Sequence, residues 1–237
     1  MSKIIARVWF GLTALIGAAG VTLSAILHAE SSPAEIVQVG GGLGAPGDFD
    51  NAFYRLTITF FYFTIWSNII VIITTAMLMV RLERESTVFR VFRLYGLISI
   101  LITGLVYNLY LVRLDPPHGI ALLQNDMVHV AVPILAILGW LIFGPRIPFR
   151  MKYVWWSMVI GLTWLAVTFL HGAFITWYPY PFTNAAELGY PTALLNCLVV
   201  LVFAFLIGLG IMALDKVLPG SDGTDDPKLP GAPTATS

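Results

Sequence analysis

The stretch TALLNCLVVLVFAFLIGLGIMAL, Thr192 to Leu214, runs twenty-three residues without a charged side chain. A bilayer's hydrocarbon core of about 30 Å needs about 20 apolar residues in a helix that rises 1.5 Å per residue, so this segment reads as a membrane span. Working outward from it, five further stretches have the same character, at about 9–27, 54–80, 91–112, 119–143 and 153–175. Strands of a membrane barrel would alternate polar and apolar residues over about ten positions, and these stretches are continuously apolar. The expected fold is all-α: a polytopic membrane protein whose six transmembrane helices form one bundle over residues 1–218. The segment 219–237, rich in Pro, Gly, Asp and Thr, has too little apolar surface to fold and is expected to be a disordered cytoplasmic tail.

Composition agrees. Of 237 residues, 58% are apolar and only 11% charged, against about 25% charged in a soluble domain; a water-soluble globule, a disordered chain and a nucleic-acid binder are excluded. Thirteen basic and thirteen acidic residues cancel, so only their placement is informative. Lys3, Arg7, Arg81, Arg84, Arg90, Arg93, Arg146, Arg150, Lys152, Lys216 and Lys228 fall on one side of the six spans, and Arg55 and Arg113 on the other. By the positive-inside rule both termini are expected in the cytoplasm, and the loops carrying Glu30, Asp48, Asp115 and Glu187 outside. A single cysteine, Cys197, excludes an internal disulfide and a Cys-rich metal site. The first stretch, with an apolar run of about 19 residues, exceeds the 7 to 15 of a secretory signal and is expected to stay as a helix. The loop Glu30 to Asn51 contains GGGLGAPG at 40–47, which lacks the Gly-Lys-Ser/Thr of a P-loop and reads as a flexible connection.

Function should reside in polar residues at depth, where hydrocarbon makes them expensive. In the second stretch Thr57, Thr64, Ser67 and Asn68 form one helical stripe. Counting ten residues in from Tyr54 puts Thr64 roughly 15 Å below the outer face, and ten residues in from Gly119 puts His129 at the same depth. A threonine hydroxyl becomes a nucleophile when a base accepts its proton, and imidazole is the commonest base. A dry surrounding makes imidazolium costly, so His129 should begin as an acceptor. Asn125 and Asp126, four and three residues before it, could hold one ring nitrogen. Pro133, four residues after it, cannot bond the His129 carbonyl and should bend the helix. Tyr107, Asn108, Thr168, His171 and Asn196 lie nearer the outer face and could line a water path to the pair, and Asn68 could steady an oxyanion.

Each residue also has a structural reading. A membrane threonine usually bonds back to the carbonyl four residues earlier, here Phe60. A membrane histidine or asparagine often serves as an interhelical hydrogen bond. Trp66, Trp155, Trp156 and Trp177 suit packing or the interfacial belts.

Three segments resemble a known family. Phe63-Thr64-Ile65-Trp66-Ser67-Asn68 is similar to the second-helix threonine motif of the androgen-induced and androgen-dependent TFPI-regulating proteins, six-helix intramembrane threonine hydrolases. Asn125-Asp126-Met127-Val128-His129, followed by Pro133, resembles that family's fourth-helix histidine segment. Trp177-Tyr178-Pro179-Tyr180-Pro181-Phe182 resembles a Tyr-Pro-Phe element of its bacterial branch, in which an acid often stands where this chain has Gly139. The resemblance implies Thr64 as nucleophile, His129 as base and a fatty-acyl ester substrate, such as a fatty acid ester of a hydroxy fatty acid. It also implies a bacterial plasma membrane, and it requires neither metal nor cofactor. Two other classes stay open: a non-catalytic lipid binder, sensor or transporter, and a haem or quinone carrier built on His28, His129 and His171.

Overall fold

In the computed structural model, residues 2–31, 50–84, 86–114, 116–146 and 148–218 are described. The glycine-rich segment at 40–47 and the tail at 219–237 lie outside them. The described residues form helices and no strands. In chain order the helices are α1 (Lys3–Glu30), α2 (Ala52–Ile58), α3 (Phe63–Val80), α4 (Thr87–Leu109), α5 (Ile120–Asp126), α6 (Val132–Phe143), α7 (Met151–Ile175), α8 (Ala185–Leu188) and α9 (Tyr190–Val217). Six helical segments are long and apolar enough to cross a membrane: α1, α3, Thr87–Arg113, the α5–α6 segment Ile120–Phe143, α7 and α9. This is the make-up of an integral multi-pass membrane protein, an all-α bundle of six spans.

The bundle is built around α3, α4 and α6, with α1 against α3 and α6, and α7 and α9 outside α4. Large apolar side chains point away from the bundle, among them Leu195, Val199 and Leu206 of α9, all more than half exposed. Such a surface suits lipid contact rather than water. Toward one end, Leu94, Ile98, Trp140 and Val154 form the interior; toward the other, an aromatic cluster joins Tyr62, Trp164, Trp177 and Tyr180.

Two breaks in the spans position the site. The expected helix over 54–80 is interrupted: α2 ends at Ile58, a 3-10 turn covers Thr59–Phe61, and Tyr62 is extended at φ −72°, ψ 130° before α3 begins. Thr64 is therefore the second residue of its span, which corrects the depth count. Sixteen residues separate it from the end of α3 at Val80 and fourteen separate His129 from the end of α6 at Phe143, or roughly 24 and 21 Å. Within a ~30 Å core the pair remains level but lies within about 10 Å of the nearer boundary.

The second break is a π turn, Met127–Ala131, between α5 and α6. A carbonyl in an α-helix bonds the amide four residues on, and in a π turn the amide five residues on. Pro133 has no amide hydrogen, so it can satisfy neither His129 in the first register nor Val128 in the second. Both carbonyls are taken up by asparagines from neighbouring spans. Asn68 of α3 donates to the Val128 carbonyl at 3.2 Å, and Asn108 of α4 to that of His129 at 3.0 Å. Glycines admit the neighbours closely: a Cβ on Gly20 of α1 would lie 2.7 Å from the Val128 side chain, and one on Gly104 of α4 would lie 3.1 Å from Pro133.

Candidate active site

At the start of α3 the first amides have no partner within the helix. That of Thr64 donates to the Tyr180 hydroxyl at 3.2 Å. Because residues 59–62 leave the α-helical path, the Phe60 carbonyl does not receive the Thr64 hydroxyl; it accepts from the Trp66 indole at 2.6 Å. The Thr64 side chain is thus released from the usual back-bond. Its Oγ1 lies 3.1 Å from His129 Nε2 and 3.3 Å from the Tyr180 hydroxyl.

The direction of each hydrogen bond follows from the far side of the imidazole. His129 Nδ1 is 2.7 Å from Asn125 Oδ1, an acceptor, so Nδ1 carries the hydrogen and Nε2 accepts. Thr64 then donates to Nε2, and its oxygen accepts from Tyr180. The Tyr107 ring lies flat on the imidazole, centroids 3.8 Å apart and planes at 15°, which fixes its plane. Burial raises the Tyr180 phenol above its ordinary range, against the hydrogen bonds with Thr64. It is a neutral hydroxyl, able to donate.

Two cavities meet at Thr64. One, of ≈ 340 Å³, is lined by His129, Asn125, Tyr62 and the polar side chains of Ser24, His28 and Gln124 from α1 and α5. The other is narrow, ≈ 70 Å³ and almost wholly apolar; it lies among α4, α7 and α9. Thr64, Tyr107, Leu111 and Tyr180 border both.

The remaining sequence candidates lie elsewhere. Asp126 is exposed, and it is Asn125, buried and one residue earlier, that meets the ring. A single residue's step is a 100° turn on a helix, enough to send the acid away. Asn68 is not placed for an oxyanion: both its amide hydrogens are used, on the carbonyls of Thr64 and Val128. Ser67 bonds the Thr64 carbonyl and the Thr103 hydroxyl. Thr57 sits in α2, bonded to the Tyr54 carbonyl, so the stripe ends at Thr64.

The five residues expected along a water path do not share one cavity. Only Tyr107 of the five borders the wide cavity. Asn108 holds the His129 carbonyl, Asn196 donates to the Phe182 carbonyl, Thr168 is buried in α7, and His171 stacks on Phe61 at 3.7 Å. The polar side chains that do line the wide cavity include Ser24, His28 and Gln124. Of the three histidines, His28 and His129 border the wide cavity, while His171 packs against Phe61 and Tyr54. Among the described residues no group of three or more His, Cys, Asp or Glu is placed to hold a metal ion.

Sequence reasoning missed Tyr180 as a site residue. The available signal was local, a tyrosine held between Pro179 and Pro181 directly after the fifth span. At Gly139, an added Cβ would lie 2.8 Å from the Trp9 indole nitrogen, which bonds the Leu135 carbonyl. Trp9 takes the space an acid there would need. Comparison with protein-family models, curated proteins and solved structures finds no match to this chain.

Proposed function

We propose that this protein is an intramembrane ester hydrolase with Thr64 as nucleophile and His129 as base, acting on a fatty-acyl ester such as a fatty acid ester of a hydroxy fatty acid. The observation that carries the reading is the 3.1 Å approach of Thr64 Oγ1 to His129 Nε2 beside a cavity, with Asn125 holding the opposite ring nitrogen. The resemblance of residues 63–68 and 125–129 to intramembrane threonine hydrolases supports it. The basic end of the bundle faces the cytoplasm and the site lies toward the other face; the membrane is a bacterial plasma membrane.

Thr64 Oγ attacks the ester carbonyl carbon as its proton passes to His129 Nε2. The carbonyl oxygen, now an oxyanion, accepts from the Thr64 amide and the Tyr180 hydroxyl, which bond each other at rest. The bond from carbonyl carbon to alkoxy oxygen breaks, His129 protonates that oxygen, and the alcohol departs from an acyl-threonine. Water then attacks, His129 takes its proton and returns it to Thr64 Oγ, and the fatty acid is released. A site within about 10 Å of the outer boundary lets the acyl chain stay in hydrocarbon while water enters by the polar cavity.

Labelling of the purified protein by an active-site fluorophosphonate tests this. Wild type is labelled, and Thr64→Ala and His129→Ala are not; equal labelling of all three rejects the dyad. The cavities equally suit a non-catalytic lipid binder. Thr64→Val separates the two readings, since a binder keeps its function and an enzyme keeps affinity but loses turnover.

A further inference from the structure

We propose that the narrow cavity among α4, α7 and α9 is the acyl channel of this site, admitting one unbranched chain methyl end first, while the alcohol half of the ester occupies the wide cavity. The inference rests on the hydrolase reading above and adds which half of the substrate lies where.

The position of the base decides the direction. His129 borders the wide cavity and not the narrow one. The group that protonates the departing alkoxy oxygen must stand beside it, so the alcohol leaves on the His129 side. The acyl chain, attached to the opposite bond of the same carbonyl carbon, is left with the narrow side. Water for the second step needs the same access to His129, and the polar lining of the wide cavity suits it.

The shape and chemistry of the narrow cavity agree. Along α4 it follows Tyr107, Thr103, Ser99 and Tyr95, one turn apart on a single face, a depth of roughly 18 Å from the Thr64 level. Most of its polar wall groups are engaged: Thr103 with Ser67, Ser99 with the Gly96 carbonyl, Ser157 with that of Tyr153 and the Trp164 indole with that of Phe61, while the buried Tyr95 hydroxyl has no hydrogen-bond partner. A passing chain meets apolar surface. A volume of only ≈ 70 Å³ spread over that length is a single-file passage, and its deepest lining residues along α4, α7 and α9 are Tyr95, Ser157 and Ala204. At Gly161, midway along α7, an added Cβ would lie 3.9 Å from both Leu201 and Tyr95. Glycine leaves the channel open there, and a larger side chain would enter it. The consequence is strict acyl-length selectivity beside tolerance in the alcohol.

The test uses the full chain and two ester series, one varying the acyl chain with a fixed alcohol and one the reverse. Wild type discriminates steeply in the first series and weakly in the second. Gly161→Phe shifts the short-to-long acyl rate ratio toward short chains by at least about tenfold, and Gly161→Ala shifts it in the same direction by less. Active variants with an unmoved acyl profile, or with a shift in the alcohol series instead, overturn the channel. A second readout does not need turnover: palmitic acid carrying a terminal diazirine is photocrosslinked to Thr64→Ala, and the label falls near Ser157, Met158 and Ala204. Label near Leu114 or Ala121 of the wide cavity, or none displaced by unlabelled palmitate, rejects the proposal. Absent hydrolysis with floor-directed label rejects the enzyme and retains the channel.

Discussion

The Asn108 side-chain amide lies 3.0 Å from the main-chain carbonyl of His129, the carbonyl that Pro133 leaves without an amide one turn on. A side chain of one span completes the backbone of another directly at the candidate base. The His129 ring therefore depends on a contact made by its own main chain, as well as on Asn125 and Tyr107.

Asn108→Ala should expose that dependence. The carbonyl loses its donor, and stability falls by about 1 kcal/mol, the scale of an interhelical hydrogen bond in a membrane protein. Adding Pro133→Ala restores an amide four residues on and should recover part of the loss. Thermal unfolding of the two single variants and the double variant measures the coupling; strictly additive losses would show that the carbonyl is satisfied some other way.

The tautomer of His129 rests on Asn125. Asn125→Leu should lower turnover by about 10²-fold, within the range for a misoriented general base, and Asn125→Asp should retain an acceptor and most of the rate. Asp126→Asn, changing an exposed side chain, should leave turnover unchanged. Equal losses at 125 and 126 would contradict a hydrogen bond donated by His129 Nδ1 to Asn125.

Tyr180→Phe removes a hydroxyl that touches both the Thr64 amide and the Thr64 side chain. Loss of one oxyanion donor lowers kcat by about 10²-fold. KM should change little, because the oxyanion exists only after attack. A loss confined to KM would make Tyr180 a substrate contact instead.

Gly139 permits the Trp9 indole to lie against the α6 backbone. Gly139→Ala places a methyl where the indole nitrogen is 2.8 Å away and should destabilise the fold by about 1–3 kcal/mol, the usual range for overpacking. Helix propensity alone favours alanine by about 1 kcal/mol, so a stabilised variant would show that Trp9 moves aside freely. Denaturation followed by tryptophan fluorescence distinguishes these.

The existence and order of the six spans and the polar candidates Thr64, His129 and Asn125 were legible in the sequence, because hydropathy and helical spacing are local properties that a bilayer reads residue by residue. The choice of Asn125 over Asp126 was not, since it turns on one residue of helical phase beside a π turn. Nor was the break at Tyr62, which leaves Thr64 shallower than an unbroken helix would. Tyr180 reaches Thr64 across 116 positions of chain, from a loop whose fold depends on what it packs against. The division into a polar and an apolar cavity belongs to no single segment. A hydrophobic pattern specifies that a face is buried, but which hydroxyl meets which amide, and which side of it stays open, is settled only when separate spans close on one another.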